Sequence, residues 1–288
     1  MSLEEWYNDR DLYHLIGFLI EYNYDINKLK SASNGLNKSD YKSFLKQEIH
    51  ELFKYLDIDD LEYGSSNNSI KMTLLLFNIQ TILATQKAEM RFPFDKYKEE
   101  NWDIEHVKSQ TEKSINKSNI KAWALDMLEY YTGQEGYSDN KEQDSEESTK
   151  QIQIAHIENL DEKEKEFANR LIHILDSEKI DDTYFQSLYD ELIIEFKESD
   201  FDQDNNISNL ALLDETTNRS YGNAMFPIKR KRIIKNDMNG IFVPLCTKNL
   251  FLKYYSKKMG NVMYWQESDA LDYLESIKTS LKEYLTPQ

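Results

Sequence analysis

Two separated segments carry the side chains best suited to chemistry. Residues 101–107 (NWDIEHV) alternate apolar and polar side chains and include the adjacent pair Glu105 and His106. Residues 208–219 (SNLALLDETTNR) contain Asn209 and Asn218. An imidazole can act as a base near pH 7, and carboxylate or amide oxygens are ligands for hard cations. These residue types are therefore suited to base catalysis and to binding of a cation.

The patterns around these residues predict the elements that must position them. Residues 101–107 predict a short strand that delivers Glu105 and His106 to one loop, and the apolar run 207–213 predicts a second strand. A polar loop follows, and then Pro227 opens a helix with a basic cluster over residues 229–235. Cationic side chains and the positive end of a helix dipole both attract phosphate.

The rest of the chain predicts helices. Only 8 glycines and 4 prolines occur, and apolar residues recur at i, i+3 and i+4, as in amphipathic helices. We expect Thr247 and Ser268 to cap the last two helices. The predicted helices include residues 70–90, 120–131, 167–175, 185–196, 247–258 and 268–285.

The charge of the chain limits how it could bind nucleic acid. The formal net charge is -17, and residues 134–150 and 195–204 carry much of the acidic excess. Phosphate neutralisation requires Lys and Arg, so the charge argues against binding of nucleic acid over the whole surface, whereas a local DNA site at the basic cluster is compatible with it. The serine-rich acidic segment 134–150 is expected to be an exposed loop or a disordered excursion.

Cysteine content and hydropathy indicate the compartment. Cys246 is the one cysteine, which excludes internal disulfides and any cysteine-based zinc site. No apolar stretch reaches the roughly 20 residues of a membrane span, and the N-terminus lacks a signal pattern. We therefore expect a cytoplasmic protein that does not associate with membranes.

Taken together, the two segments resemble the HNH, or ββα-metal, nuclease motif. The resemblance implies that His106 is the general base and that Glu105, at the acidic position before it, is a metal ligand. Asn209 matches the structural asparagine that ties the loop together, and Asn218 matches the second metal ligand. Members of the family often carry Asp or His where this chain has Glu105 or Asn218.

This resemblance implies hydrolysis of a phosphodiester bond. The negative charge of the phosphate repels hydroxide, so a single Mg²⁺ or Mn²⁺ ion and a neutral histidine base are expected. Lys229, Arg230 and Arg219 are expected to hold DNA phosphates, and no organic cofactor is expected. The fold class that follows is mainly α with a small embedded ββα-metal (HNH) motif.

A wider similarity involves most of the chain apart from residues 130–200. Residues 5–14 (EWYNDRDLYH), 91–94 (RFPF), 209–229 and 244–265 resemble the C-terminal nuclease half of GmrSD-like proteins. These are type IV, modification-dependent restriction enzymes and related anti-phage proteins, in which a ParB-like nucleotide-binding domain precedes the nuclease. No glycine-rich phosphate loop occurs before Trp6, so we expect that upstream domain to be absent from this chain.

The resemblance also implies a domain organisation. We expect an N-terminal helical scaffold over residues 1–90, an HNH nuclease domain over residues 91–238 and a C-terminal helical segment over residues 239–288 that packs on the nuclease core. The nuclease domain is expected to contain a helical acidic insertion at about residues 111–204.

The expected function is that of a metal-dependent endonuclease acting on DNA in restriction or phage defence. Two alternatives stay open: a non-catalytic helical interaction module with a degenerate HNH shape, and an RNA-directed nuclease. The recognised modification, control by nucleotide and the oligomeric state are also left open.

Overall fold

Helices form most of the structure. The computed structural model describes residues 1–85, 89–108, 117–133, 156–196, 205–215, 224–258 and 262–285. Its helices are α1 (Leu3–Asn8), α2 (Arg10–Glu21), α3 (Ile26–Ser33), α4 (Lys38–Phe53), α5 (Asn67–Ala84), α6 (Phe94–Glu99), α7 (Ile120–Thr132), α8 (Glu162–Asp176), α9 (Asp182–Glu195), α10 (Phe226–Met238), α11 (Leu245–Phe251) and α12 (Glu267–Leu281). None of the helices in these ranges is both long and apolar enough to cross a membrane.

One small antiparallel sheet joins the two segments that carry the candidate chemistry. Strand β1 (Trp102–His106) pairs with β2 (Leu210–Asp214), and His106 lies opposite Leu210. The predicted mainly helical class and both predicted strands are therefore confirmed. Helix α10 follows β2 and begins with Pro227 in its first turn, as the sequence predicts.

A large core surrounds this sheet. It combines buried side chains from the helices before β1, from both strands and from the C-terminal helices. Two hydrogen bonds attach β2 to those last helices: Thr247 Oγ1 donates to the Leu212 carbonyl at 2.6 Å, and the Tyr273 hydroxyl donates to the Leu210 carbonyl at 3.2 Å. A two-stranded sheet is marginal by itself, so these contacts supply the support that it needs.

A second core is formed mainly by the segment between the two strands. Helices α7, α8 and α9 pack their apolar faces together around residues such as Trp123, Leu171 and Leu188, which confirms the faces predicted for these helices. Helix α10 contributes to both cores, since Ile228 belongs to this one and Ile233 belongs to the core around the sheet. Contacts on two sides therefore fix the position of α10.

The ends of several predicted helices are wrong. Helix α5 ends at Ala84, where the guanidinium of Arg10 donates to the last carbonyls of the helix. Helix α11 is shorter than predicted because Lys253 adopts a positive φ of 60° two residues after its end. Thr247 lies inside that helix and bonds β2, so it is not the cap, and Gln266 replaces Ser268 as the N-cap of α12.

One histidine is part of the core in a neutral form. The His14 side chain is fully buried, its Nδ1 lies 2.6 Å from the Arg10 carbonyl oxygen, and its Nε2 accepts from the Phe92 N–H at 2.9 Å. These contacts place the proton on Nδ1. Burial lowers the pKa of His14 below its ordinary value of 6.5.

We expect His14 to make the fold sensitive to acid. Below its ordinary pKa of 6.5, the unfolded chain binds a proton at His14 that the folded chain does not, so stability falls as the pH decreases. The slope for one proton approaches about 1.4 kcal/mol per pH unit. Chemical denaturation between pH 7.5 and pH 5 should show a smaller acid loss in His14→Gln than in the wild type. The exposed His173 gives the control, His173→Gln, and an unchanged slope in His14→Gln would contradict the assignment.

Candidate active site

The imidazole of His106 stands at the end of β1 between two side chains. Its Nε2 lies 3.3 Å from Asn205 Oδ1, and its ring meets the ring of Tyr63 edge to face at a centroid distance of 4.6 Å. With the proton on Nε2, this nitrogen donates to Asn205 and Nδ1 carries the lone pair that can accept a proton. The half-buried ring is therefore held in one orientation by two neighbouring side chains.

Neither Tyr63 nor Asn205 is predicted from the sequence as a site residue. The loop before α5 meets the segment that leads into β2: the Tyr63 N–H donates to the Asn205 carbonyl at 2.8 Å, and the Ile207 N–H donates to the Leu61 carbonyl at 3.0 Å. These bonds bring two parts of the chain together that are about 140 residues apart. A pair of asparagines before an apolar run was the only local signal for Asn205, and Tyr63 had none.

Asn209 joins the end of β1 to the start of β2. Its side chain is fully buried, and its Oδ1 accepts from the Lys108 N–H at 3.0 Å. Its own carbonyl accepts from the Val107 N–H at 2.8 Å. These contacts support the structural role expected for Asn209, because they fix the chain directly after His106.

Glu105 faces a lysine of helix α10. Its Oε1 lies 2.5 Å from the Lys229 Nζ, and the two residues are only 5% and 2% exposed. Burial raises the pKa of the Glu105 carboxyl, and the adjacent ammonium opposes that rise. Successive side chains of a strand point to opposite faces, so Glu105 does not share the face of His106. The structure thus differs from the expectation that both side chains enter one loop.

Lys229 is also turned inward. Besides its ion pair with the Glu105 carboxylate, the ammonium donates a hydrogen bond to the His106 carbonyl oxygen at 2.6 Å. A contact from this buried ammonium to DNA phosphate, as the sequence suggested, does not agree with its position. The physical reason is that the ammonium compensates a buried carboxylate, which a lysine on a solvated helix face would not do.

The other cations of α10 have different surroundings. Lys231 donates to the Glu129 carbonyl of α7 at 3.4 Å, and Arg232 forms an ion pair with Asp126, which is also in α7. Arg230 is partly exposed, although its Nε is itself buried and has no hydrogen-bond partner within the described residues. Because Lys229 is buried, Arg230 is the more accessible of the two phosphate-binding residues predicted on this helix.

The metal site expected from the sequence lies only partly within the described residues. Across the described ranges, no group of three or more His, Cys, Asp or Glu side chains is arranged to hold a metal ion. The carboxylate expected as a ligand, Glu105, is paired with Lys229. Asn218, the second expected ligand, and Arg219 both lie outside the described residues.

We expect Asn209→Ala to loosen the chain next to His106. The Lys108 N–H would lose its buried acceptor, at a cost of about 1–3 kcal/mol in the free energy of unfolding measured with urea. Amide hydrogen exchange at Lys108 should accelerate. Asn78 is a matched control because it is buried and its Oδ1 accepts from the Cys246 N–H at 2.8 Å. Asn78→Ala should cost similar stability without faster local opening at Lys108; equal effects of the two variants there would refute the local role.

Comparisons with known proteins do not identify a relative of this chain. No family model, curated protein or solved structure matches the chain. The contacts around His106 are therefore the basis on which a function can be proposed.

Proposed function

We propose that the chain is an endonuclease that hydrolyses phosphodiester bonds, with His106 as the general base. The observation that carries the proposal is the position of His106 at the end of β1, oriented by Asn205 and Tyr63. Two antiparallel strands followed by a basic helix also support the proposal, because the HNH resemblance implies a ββα arrangement. Imidazole is a suitable base for water near neutral pH.

The arrangement supports a simple hydrolytic step. A water molecule next to Nδ1 of His106 gives up a proton to that nitrogen, and the resulting hydroxide attacks the phosphorus atom. The bond from phosphorus to the leaving sugar oxygen breaks, and that oxygen takes a proton from solvent. Asn205 holds the opposite ring nitrogen, so the imidazole keeps one orientation while it accepts the proton.

We propose Mg²⁺ or Mn²⁺ as a cofactor of this reaction. A divalent cation neutralises the charge of a phosphate and so favours attack by hydroxide. Asn218 is the proposed ligand, and Glu105 can serve as one only if its carboxylate moves away from Lys229.

DNA is the proposed substrate, and the proposed biological role is modification-dependent restriction or phage defence alongside a ParB-like domain. These proposals come from the resemblance to GmrSD-like proteins. Arg230 at the start of α10 is the proposed phosphate contact, together with Arg219. The alternatives are RNA cleavage by the same chemistry and a non-catalytic interaction module.

We expect the purified protein to nick supercoiled plasmid DNA when Mg²⁺ or Mn²⁺ is added. His106→Ala should lower the rate by at least about 100-fold, since a positioned base contributes about 10²–10⁴-fold. His173→Ala, on the exposed face of α8, should cleave at the wild-type rate. Equal cleavage by His106→Ala and the wild type would overturn the proposed role of His106.

The same preparation separates the alternatives. Parallel digestion of DNA and RNA of matched sequence shows which polymer is cut, and preferential RNA cleavage would replace the DNA proposal. Calorimetric titration with Mn²⁺ should detect binding that weakens in Asn218→Ala. An absence of both Mn²⁺ binding and cleavage would favour the interaction module.

A further inference from the structure

A buried ion pair lies directly behind the candidate base. The Lys229 ammonium is 2.5 Å from Glu105 Oε1 and 2.6 Å from the backbone oxygen of His106. One side chain of α10 therefore holds two consecutive residues of β1. Neither contact reaches solvent, because Lys229 is 2% exposed and Glu105 is 5% exposed.

Burial of such a pair costs free energy, so the position of the pair can indicate its role. Removing two charges from water costs several kcal/mol per ion, and their attraction offsets this only with good geometry and additional hydrogen bonds. The pair between Lys253 and Asp269 is buried to the same degree, and there Asp269 also accepts from Ser256 and from the N-cap of α12. The pair of Lys253 and Asp269 contributes to the capping of α12. The pair of Lys229 and Glu105 instead contacts the main chain of His106.

We infer that Lys229 is a positioning residue for His106. Glu105 anchors the ammonium, the ammonium binds the His106 carbonyl, and the main chain of His106 is thereby held where its ring meets Tyr63 and Asn205. Ile228 and Ile233, on either side of Lys229 in α10, are buried in the two cores. The position of the ammonium is consequently set by the packing of α10.

This inference assigns Glu105 and Lys229 to the support of the base. Its catalytic consequence rests on the proposed nuclease function, whereas the positioning of the ring can be measured without any activity. The competing assignment, that Lys229 binds substrate phosphate, predicts a different response to salt. Loss of one phosphate contact should lower the slope of log affinity against log salt concentration by about 1.

The test removes the pair without leaving an unpaired charge. The double variant Glu105→Gln/Lys229→Met is compared with Lys253→Met/Asp269→Asn, which neutralises the matched pair at the other site. The readout is the NMR signal of the His106 ring protons, which we expect the adjacent Tyr63 ring to shift from their positions in a free histidine. We expect these signals to move toward the free positions in the first variant only.

The cleavage kinetics and the DNA binding of the same variants are also measured. In the first variant we expect kcat for plasmid cleavage to fall at least tenfold with little change in KM, while the salt dependence of DNA binding stays that of the wild type. If the first variant does not fold, Glu105→Asp is measured in its place, because withdrawing the carboxylate by one methylene should also move the His106 signals.

Unmoved His106 signals in a folded variant would overturn the inference, and a reduced salt slope with unmoved signals would assign Lys229 to phosphate instead. Should the wild type fail to cleave, the proposed nuclease function fails, and the NMR comparison still decides whether Lys229 positions the ring.

Discussion

The pairing of β1 with β2 is the constraint on which the candidate site depends. The two strands have five residues each, and more than 100 residues separate them in the chain. A sheet this small does not form stably in water by itself. Ile104 and Leu212 face each other within the large core, and helices α11 and α12 bind the carbonyls of β2. The position of His106 is therefore a property of the whole core rather than of its strand.

The features predicted correctly are those with local signals. Alternating apolar residues around Ile104, the apolar run before Asp214 and the proline at the start of α10 each specify their own element. The amphipathic faces of α7, α8 and α9 do so as well, because their apolar side chains recur with the helical period. The end of α5 is different, because Arg10, far away in sequence, binds its last carbonyls.

The same reasoning explains what the sequence could not predict at the site. Lys229 lies in a run of basic residues, which usually marks a solvated face, and only the approach of α10 to β1 reveals that its ammonium is buried beside Glu105. Tyr63 reaches His106 because a loop hydrogen-bonds to residues 205 and 207. Burial and long-range contacts depend on tertiary packing, and no window along the chain contains that information.

The internal contacts of the basic cluster reduce the number of cations on α10 that can attract phosphate. Lys229 compensates Glu105, Arg232 pairs with Asp126, and Lys231 caps a carbonyl of α7, so these cations serve internal contacts. With a net charge of -17, the chain has few cations among its described residues left to attract phosphate at the start of α10. Encounter with DNA would then owe little to long-range attraction, and the contacts made after docking would have to supply the affinity.

Helix α10 connects the packing of the two cores with the placement of the cations. Its apolar residues are divided between the cores, and its cations are divided between β1 and α7. Packed interiors transmit small displacements because their side chains interlock. A change in the volume of the core side chains that contact Ile228 should therefore displace the adjacent Lys229 and its ammonium. Helices α7, α8 and α9 thus contribute to the geometry of His106 through the placement of α10.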